Sequence, residues 1–512
     1  MKIAGKTVKG YYQSRLADRE PYLTRARQVA ALTIPALMPP EGSTNQTLET
    51  PYQSVGARGI ASLSSKLLMV LFPPNQEFIR MKIPAHELEA LGGGDVRTEV
   101  EESLAVVEKT MTEEIESEAL RPHLHEVNKH LLVSGNAVLY VPPGEGRNKV
   151  FHLDRFVVQR DPAGNVLALV TCESISPTLL PAELMDSIKE ANGDMTQESL
   201  EVYTAVCRDD SKPGWFKVWQ EVEGLVVPDS EGEYPEDEVP WLVLRMEPRA
   251  GESYGYGYIA GVLGDLSSLE GLWRALVDAA AASARLVFLV NPAASTRVKA
   301  LNSAPNGSFV TGNPEDVMAL KVDKAADMTV AFNAIERLER SLGFAFLLNQ
   351  SVQRSGERVT AEEIKFLAQE LEDVLAGTYS LLAQELQLRL AKVMLRRGQE
   401  QGKIMKLPKS VQPTIVTGLE ALSRGHDLMK LDAFVQGSTQ VIGPEALSKW
   451  LNVGDYLKRR ATAVGIALGK LVRSEEEVQQ AEQAAAQAQL AQGTAPEVIR
   501  QAGNIAQQPQ EI

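Results

Sequence analysis

The chain has 512 residues, 44% of them hydrophobic and 23% charged, an ordinary globular composition that can bury a sizeable core without disulfides. Its net charge of −15 excludes a broadly basic surface of the kind that grips nucleic acid through displaced counterions. Cys172 and Cys207 lie far apart and read as reduced structural thiols, MKIAGKTVKGYYQSRL lacks the apolar run of a signal peptide, and Ala279–Val290 is broken by Arg285 and too short to span a bilayer.

In chain order, Gly10–Leu37 reads as helix and stops at the turn cluster Met38-Pro39-Pro40-Glu41-Gly42. A second helix is predicted over Pro51–Leu71, where Val55, Ile60, Leu63, Leu67, Leu68 and Leu71 fall mostly at helical spacing. FIRMKI reads as a strand, the glycines at 92–94 as a flexible joint, and Val96–Leu120 as an acidic helix. The period changes near residue 130: LLVSGNAVLYV passes from a helix end through Gly135-Asn136 into a β-rich run, and 137–247 reads as one mixed β module with a polar helical stretch at Leu179–Leu200.

Tyr258–Arg285 carries Leu263, Leu266, Leu269, Trp273, Leu276 and Val277 on one broad helical stripe. A strand closed by Pro292 and a turn-rich excursion follow, and a second helix is expected over Met328–Leu348. The polar stretch Asn349–Arg358, NQSVQRSGER, precedes a long helix opened by the capping box Thr360–Glu363 and ended near Arg396-Arg397-Gly398. LPKSVQPTIVTGLEAL is expected to be short β or turn, with more helix to about Lys470 and an Ala/Gln/Glu-rich tail.

No motor signature is present, because Gly465–Leu471 has the wrong spacing for a P-loop and lacks its Ser/Thr. Gly255, Gly257 and Gly261 imitate a dinucleotide fingerprint with the wrong spacing and no second βα unit, so they read as hinge glycines. His123, His125 and His130 share one helix without a completing ligand, and read as ordinary solvated or half-buried side chains. NQSVQRSGER is a charged, glycine-containing loop between two helices: by itself it reads as a plain solvent-exposed connection, or as a loop whose Arg354 and Arg358 reach phosphates.

The segments PYQSVGARG, LLVSGNAVLYVP, SYGYGYIAGVLGDLSSLE, GSFVTGNPEDV and FAFLLNQSVQRSGERVTAEEI resemble, in the same order, those of portal proteins, the head-to-tail connectors of short-tailed, autographivirus-type phages. The resemblance covers residues 10–435 and implies an α+β, mainly helical portal fold with wing, stem, clip and crown, assembled as a ring. On it, 1–257 is wing, 258–285 and 328–348 are stem helices, and 286–327 is the clip. Residues 349–359 become the tunnel loop, 360–435 the long helix and the rest of the wing, and 436–512 the crown with a flexible tail.

The resemblance makes Gln350, Gln353, Arg354, Ser355, Gly356 and Arg358 face DNA, and Arg297, Lys299, Asn302 and Asn306 meet adaptor or terminase. It implies no catalysis and no cofactor. The implied partners are eleven further copies in a dodecameric ring, double-stranded DNA bound without sequence preference, the terminase large subunit, tail adaptor and tube proteins, and major capsid and scaffold proteins, with no membrane. The implied location is the virion's portal vertex, and the host cytoplasm during assembly. A dinucleotide-using enzyme and another structural phage protein, such as a tail adaptor or scaffold, are the competing classes.

Overall fold

A computed structural model of the full chain describes residues 7–42, 46–73, 78–83, 94–117, 119–144, 146–192, 198–283, 287–292, 297–320, 325–348, 370–371, 375, 381–408, 410–415, 423–443 and scattered positions from 447 to 460. Two compact units divide at Gly418/Leu419.

The first unit opens with α1 (Val8–Ser14), α2 (Leu16–Ala31), α3 (Val55–Leu71), β1 (Ile79–Lys82), α4 (Gly94–Ser117) and α5 (Leu120–Ser134). The apolar stripe Leu120, Leu124, Val127, Leu131 on α5 and Ile60, Leu63, Leu67 on α3 are completely buried in one large core, as amphipathic spacing requires. Gly135 ends α5 in the left-handed region (φ 74°), its N–H reaching Leu131 O at 2.9 Å, and the chain turns at once into β2 (Asn136–Tyr140). The helix-to-strand switch therefore falls where the sequence places it.

The strands of the mixed β module predicted over 137–247 are arranged in two sheets. β3 (Lys149–His152), β4 (Phe156–Arg160), β5 (Val166–Ile175), α6 (Ala182–Asn192), β6 (Leu200–Arg208), β7 (Trp215–Val222), β8 (Leu225–Val226), β9 (Gly232–Pro235) and β10 (Trp241–Arg245) follow. A three-stranded antiparallel sheet runs β10-β2-β3, with Val138 opposite both Val243 and Phe151. A six-stranded one runs β4-β5-β6-β7-β8 with β9 also on β7. Alternation along these strands sends Val158, Leu169, Val206 and Phe216 to the main core. Val157, Val170, Cys172, Ala205 and Cys207 go to the other face, under Val8, Tyr11 and Tyr12 of α1. Burial pushes the Cys207 thiol up to about 12 and Cys172 to about 11, so both stay protonated at neutral pH. The free edge of β4 is closed by side chains: Val158 N donates to Tyr254 Oη at 3.2 Å and Arg160 N to Ser253 Oγ at 3.2 Å.

Beyond the sheets lie α7 (Leu263–Ser283), β11 (Val287–Val290), β12 (Val317–Leu320), α8 (Ala325–Ala345), the π-helical turn Ala383–Leu388, α9 (Arg389–Glu400) and β13 (Gln412–Ile415), which pairs antiparallel with β1. Thr360–Glu363, the predicted opening of the long helix, is outside the described residues. The second unit contains α10 (Ser423–Ile442), to which Tyr456 is tied through Asp432 at 2.6 Å.

The glycines predicted to be hinges at 255 and 257 are close-approach positions instead. Asn136 holds the Gly255 backbone at both ends, through Nδ2 to O at 2.7 Å and N to Oδ1 at 2.8 Å. A Cβ at Gly257 would stand 2.7 Å from Leu132 O. Gly261, the third glycine of that motif, faces open space.

His125 Nε2 meets Ser64 Oγ at 2.9 Å, and the His130 ring lies 6.0 Å from that of His152. Burial, reinforced by His130, pulls His152 down from its ordinary value of 6.5 to about 4, with Asp154 opposing and Arg155 and Arg19 adding to the shift. The unfolded chain therefore takes up this proton first. The stability that neutral His152 contributes is complete above pH 6.5 and is lost as pH falls towards 4, by roughly 2–3 kcal/mol at pH 4.5. His152→Gln should lose visibly less melting temperature than the parent between pH 7 and 4.5. Equal losses would count against the assignment.

Candidate functional site

Between Leu269 and Ile335 no described residue is buried, although both ends of this stretch belong to the main core. This is the helix–insertion–helix element, and it stands off the body of its own subunit. Its first helical turn, Tyr258–Val262, is 3-10 and becomes α-helical at Leu263, because the glycine-rich YGYIAGVLG stretch enters from the tight packing at Gly257. The second helix runs Ala325–Ala345 rather than Met328–Leu348, ending where Leu347 adopts φ 55°.

The base of the projection is fastened by directed contacts. Glu270 on α7 accepts Tyr52 N at 3.0 Å and Gln53 N at 3.3 Å, and Tyr258 Oη donates to Ala345 O at 3.0 Å. Trp273 Nε1 donates to Glu339 Oε1 at 3.2 Å, joining α7 to α8. Gly59 of α3 accepts the Phe346 ring so closely that a Cβ there would overlap it. Further out, β11 and β12 form an antiparallel hairpin with Val287 opposite Leu320 and Val290 opposite Val317.

The projection exposes several large apolar side chains. Phe288, Leu289, Phe309, Met318, Val330 and Phe332 are all exposed, and Phe344 is 65% exposed. On α7 the exposed face carries small residues instead: Gly264, Ser268, Gly271 and Ala275. Arg297, Lys299, Asn302 and Asn306 all lie exposed near the hairpin: Arg297 at the N-cap of the short helix Val298–Asn302, Lys299 and Asn302 on it, and Asn306 in the turn after it. Gln350, Gln353, Arg354, Ser355, Gly356 and Arg358 lie outside the described residues.

One arrangement escaped the sequence reading. Lys66 Nζ donates to Leu347 O at 2.8 Å and faces Glu370 Oε2 at 3.6 Å, with side chains only 13% and 8% exposed. The signal available was a lone cation inside the apolar run SSKLLMVL. Its partners, about 280 and 300 residues away, could not be read from spacing. Among the described residues no three metal-ligating side chains come together, and no helix is long and apolar enough to cross a membrane.

The sequence profile of the bacteriophage head to tail connecting proteins matches residues 5–471. The chain is 42% identical over 486 residues to the portal protein of Escherichia phage T7, covering 93% of this chain and 90% of that one. It is 33% identical over 493 residues to the portal protein of Enterobacteria phage SP6, covering 94% of each. A chain in the virion of a native gene transfer agent particle covers 76% of this chain and 89% of its own length, at 11% identity and a TM-score of 0.34, so membership rests on the sequence matches. Portal proteins are structural connectors rather than enzymes, and this chain belongs to their family, the bacteriophage head-to-tail connecting proteins.

Proposed function

We propose that copies of this chain form a dodecameric ring at one capsid vertex, with a central channel for double-stranded DNA during packaging and ejection. In this reading 258–285 and 328–348 are the stem, 286–327 the clip, 349–359 the tunnel loop and 436–512 the crown and tail. The observation that carries it is the exposed apolar surface of the projection. Side by side, the aromatic knobs of one copy's α8 would cover the small-residue face of the next copy's α7, a head-to-tail contact that closes into a ring.

Arg297, Lys299, Asn302 and Asn306 then give the clip a polar rim for the terminase large subunit and later for tail adaptor and tube proteins. Arg354 and Arg358 touch the DNA backbone without reading sequence. An acidic subunit repeated around a channel repels a polyanion and keeps it from sticking, which reconciles a DNA conduit with a net charge of −15. Capsid and scaffold proteins are the remaining partners, met in the host cytoplasm during assembly.

Negative-stain imaging of the purified chain tests the reading and should show rings with a central hole. A monomeric mass with tight dinucleotide binding would sink it. Phe332→Asp combined with Phe344→Asp should leave the subunit folded, since both side chains are exposed, and lower the ring population by at least about tenfold. Unchanged rings in that variant would remove the stem contact from the proposal.

A further inference from the structure

Past the short helix Val298–Asn302 the chain turns at Pro305-Asn306-Gly307-Ser308, closed by Ser308 N donating to Pro305 O at 3.1 Å. All four residues are exposed, and the chain on both sides of the turn is neither helix nor strand. Gly307 holds φ 84°, the left-handed region that glycine enters without strain, and nothing lies within 4 Å of the place a Cβ would take. Among the described residues no hydrogen bond engages the Asn306 side chain or the Gly307 N–H.

These are the conditions under which an asparagine reacts with its own backbone. The Asn306 amide carbon is the electrophile, and the Gly307 nitrogen, once it has lost its proton, is the nucleophile. Both sit in one molecule, so the effective concentration is high. A side chain at 307 would crowd that nitrogen and a hydrogen bond would restrain it; Gly307 has neither. The other described asparagines each lack a condition. Ser303 N, after Asn302, is tied to Lys299 O at 3.2 Å, and Asn333 is fixed within α8. Asn291 and Asn313 precede prolines, which have no N–H to lose. The Asn165 amide is held by Asp161 at 2.9 Å, and Asn128, Asn136 and Asn148 are buried. Asn192 also precedes a glycine, but Gly193 lies outside the described residues.

We propose that Asn306 is a site of spontaneous deamidation. The bond between Gly307 N and Asn306 Cγ forms and the Cγ–Nδ2 bond breaks. Ammonia leaves with the proton given up by Gly307, and a five-membered succinimide ring joins the two residues. Water then opens the ring. Addition at Cγ restores the original backbone with an aspartate, whereas addition at the Asn306 backbone carbonyl carbon routes the chain through the side chain as isoaspartate. Either product puts a carboxylate where a neutral amide stood. Arg297, Lys299, Glu315 and Asp316 are the charged residues between 297 and 320, so this stretch passes from balanced to net negative. The step needs water and the single subunit alone, and so does not depend on ring formation.

The test is incubation of the full chain at pH 7 and at pH 9, followed by isoelectric focusing and by mass spectrometry of the tryptic peptide 300–321. The expected result is an acidic shift of one charge per chain, with the mass gain of amide-to-acid exchange placed at Asn306 by fragmentation. Both isoaspartate and aspartate should form, and faster at pH 9, because Gly307 N must lose its proton. Asn306→Gln, whose longer side chain would have to close a six-membered ring, should lose the product at 306. Gly307→Ala should slow it several-fold, with room for the added methyl. An Asn306 that stays amide while Asn165, Asn192 or Asn302 converts overturns the site. Aspartate without isoaspartate, or a rate equal at the two pH values, overturns the succinimide route.

Discussion

Gly135→Ala is expected to destabilise the protein by about 4 kcal/mol or more, enough to remove most soluble folded chain. Two costs add. The residue has φ 74°, a left-handed conformation that costs a non-glycine residue about 1–2 kcal/mol. A Cβ would also overlap the carbonyl carbon of Tyr256 and stand 2.6 Å from its oxygen, and backbone on both sides cannot step aside as a side-chain tip can. Around that contact, Gly135 O accepts Met246 N at 2.9 Å and Asn136 clasps Gly255. The glycine therefore sits where α5, β2 and the approach to the projection converge. Gly402→Ala separates the two costs: φ is 72° there and nothing lies within 4 Å of its Cβ, so only the torsional part should appear. Denaturant midpoints of the two variants check the argument, and equal losses would show that the backbone contact contributes nothing.

This junction also shows what was legible in the sequence. Gly135 was readable because an apolar helical stripe ends at it and a β-rich run begins. Gly255 and Gly257 were visible as glycines, but Gly257 approaches the α5 carbonyls of Leu132 and Val133 and Gly255 that of Gly135, all more than a hundred residues earlier, so freedom was inferred where the need is closeness. The β module was legible as strands and not as two sheets, because β10 joins β2 across the whole module. The helix–insertion–helix element followed from periodicity and turn residues. Its reading as stem and clip came from the family resemblance alone, as did the role given to Arg297, Lys299, Asn302 and Asn306. The π-helical turn was hidden because Leu382, Leu386 and Leu390 keep a regular apolar stripe through it.

Lys66→Met should cost about 3–5 kcal/mol, the range for breaking a buried ion pair from one side. The substitution keeps the length of the side chain and its apolar contacts in α3. It leaves the Glu370 carboxylate, 8% exposed and with neither oxygen hydrogen-bonded, without its cation, and the Leu347 carbonyl without its donor. Glu370→Leu on top of Lys66→Met removes the stranded charge, so the double variant should recover most of the loss. That recovery distinguishes an electrostatic clasp from a packing defect, since filling space poorly in both positions would add rather than cancel. The pair also has a mechanical meaning. Leu347 lies just past the end of α8, and Glu370 is a helical residue beside the buried Leu371. One ammonium group thus ties the foot of the projection to Glu370. With Lys66 gone, amide exchange should rise at Phe346–Leu348 and at 370–371 together. A rise at only one of the two would mean that Lys66 holds a single partner and couples nothing.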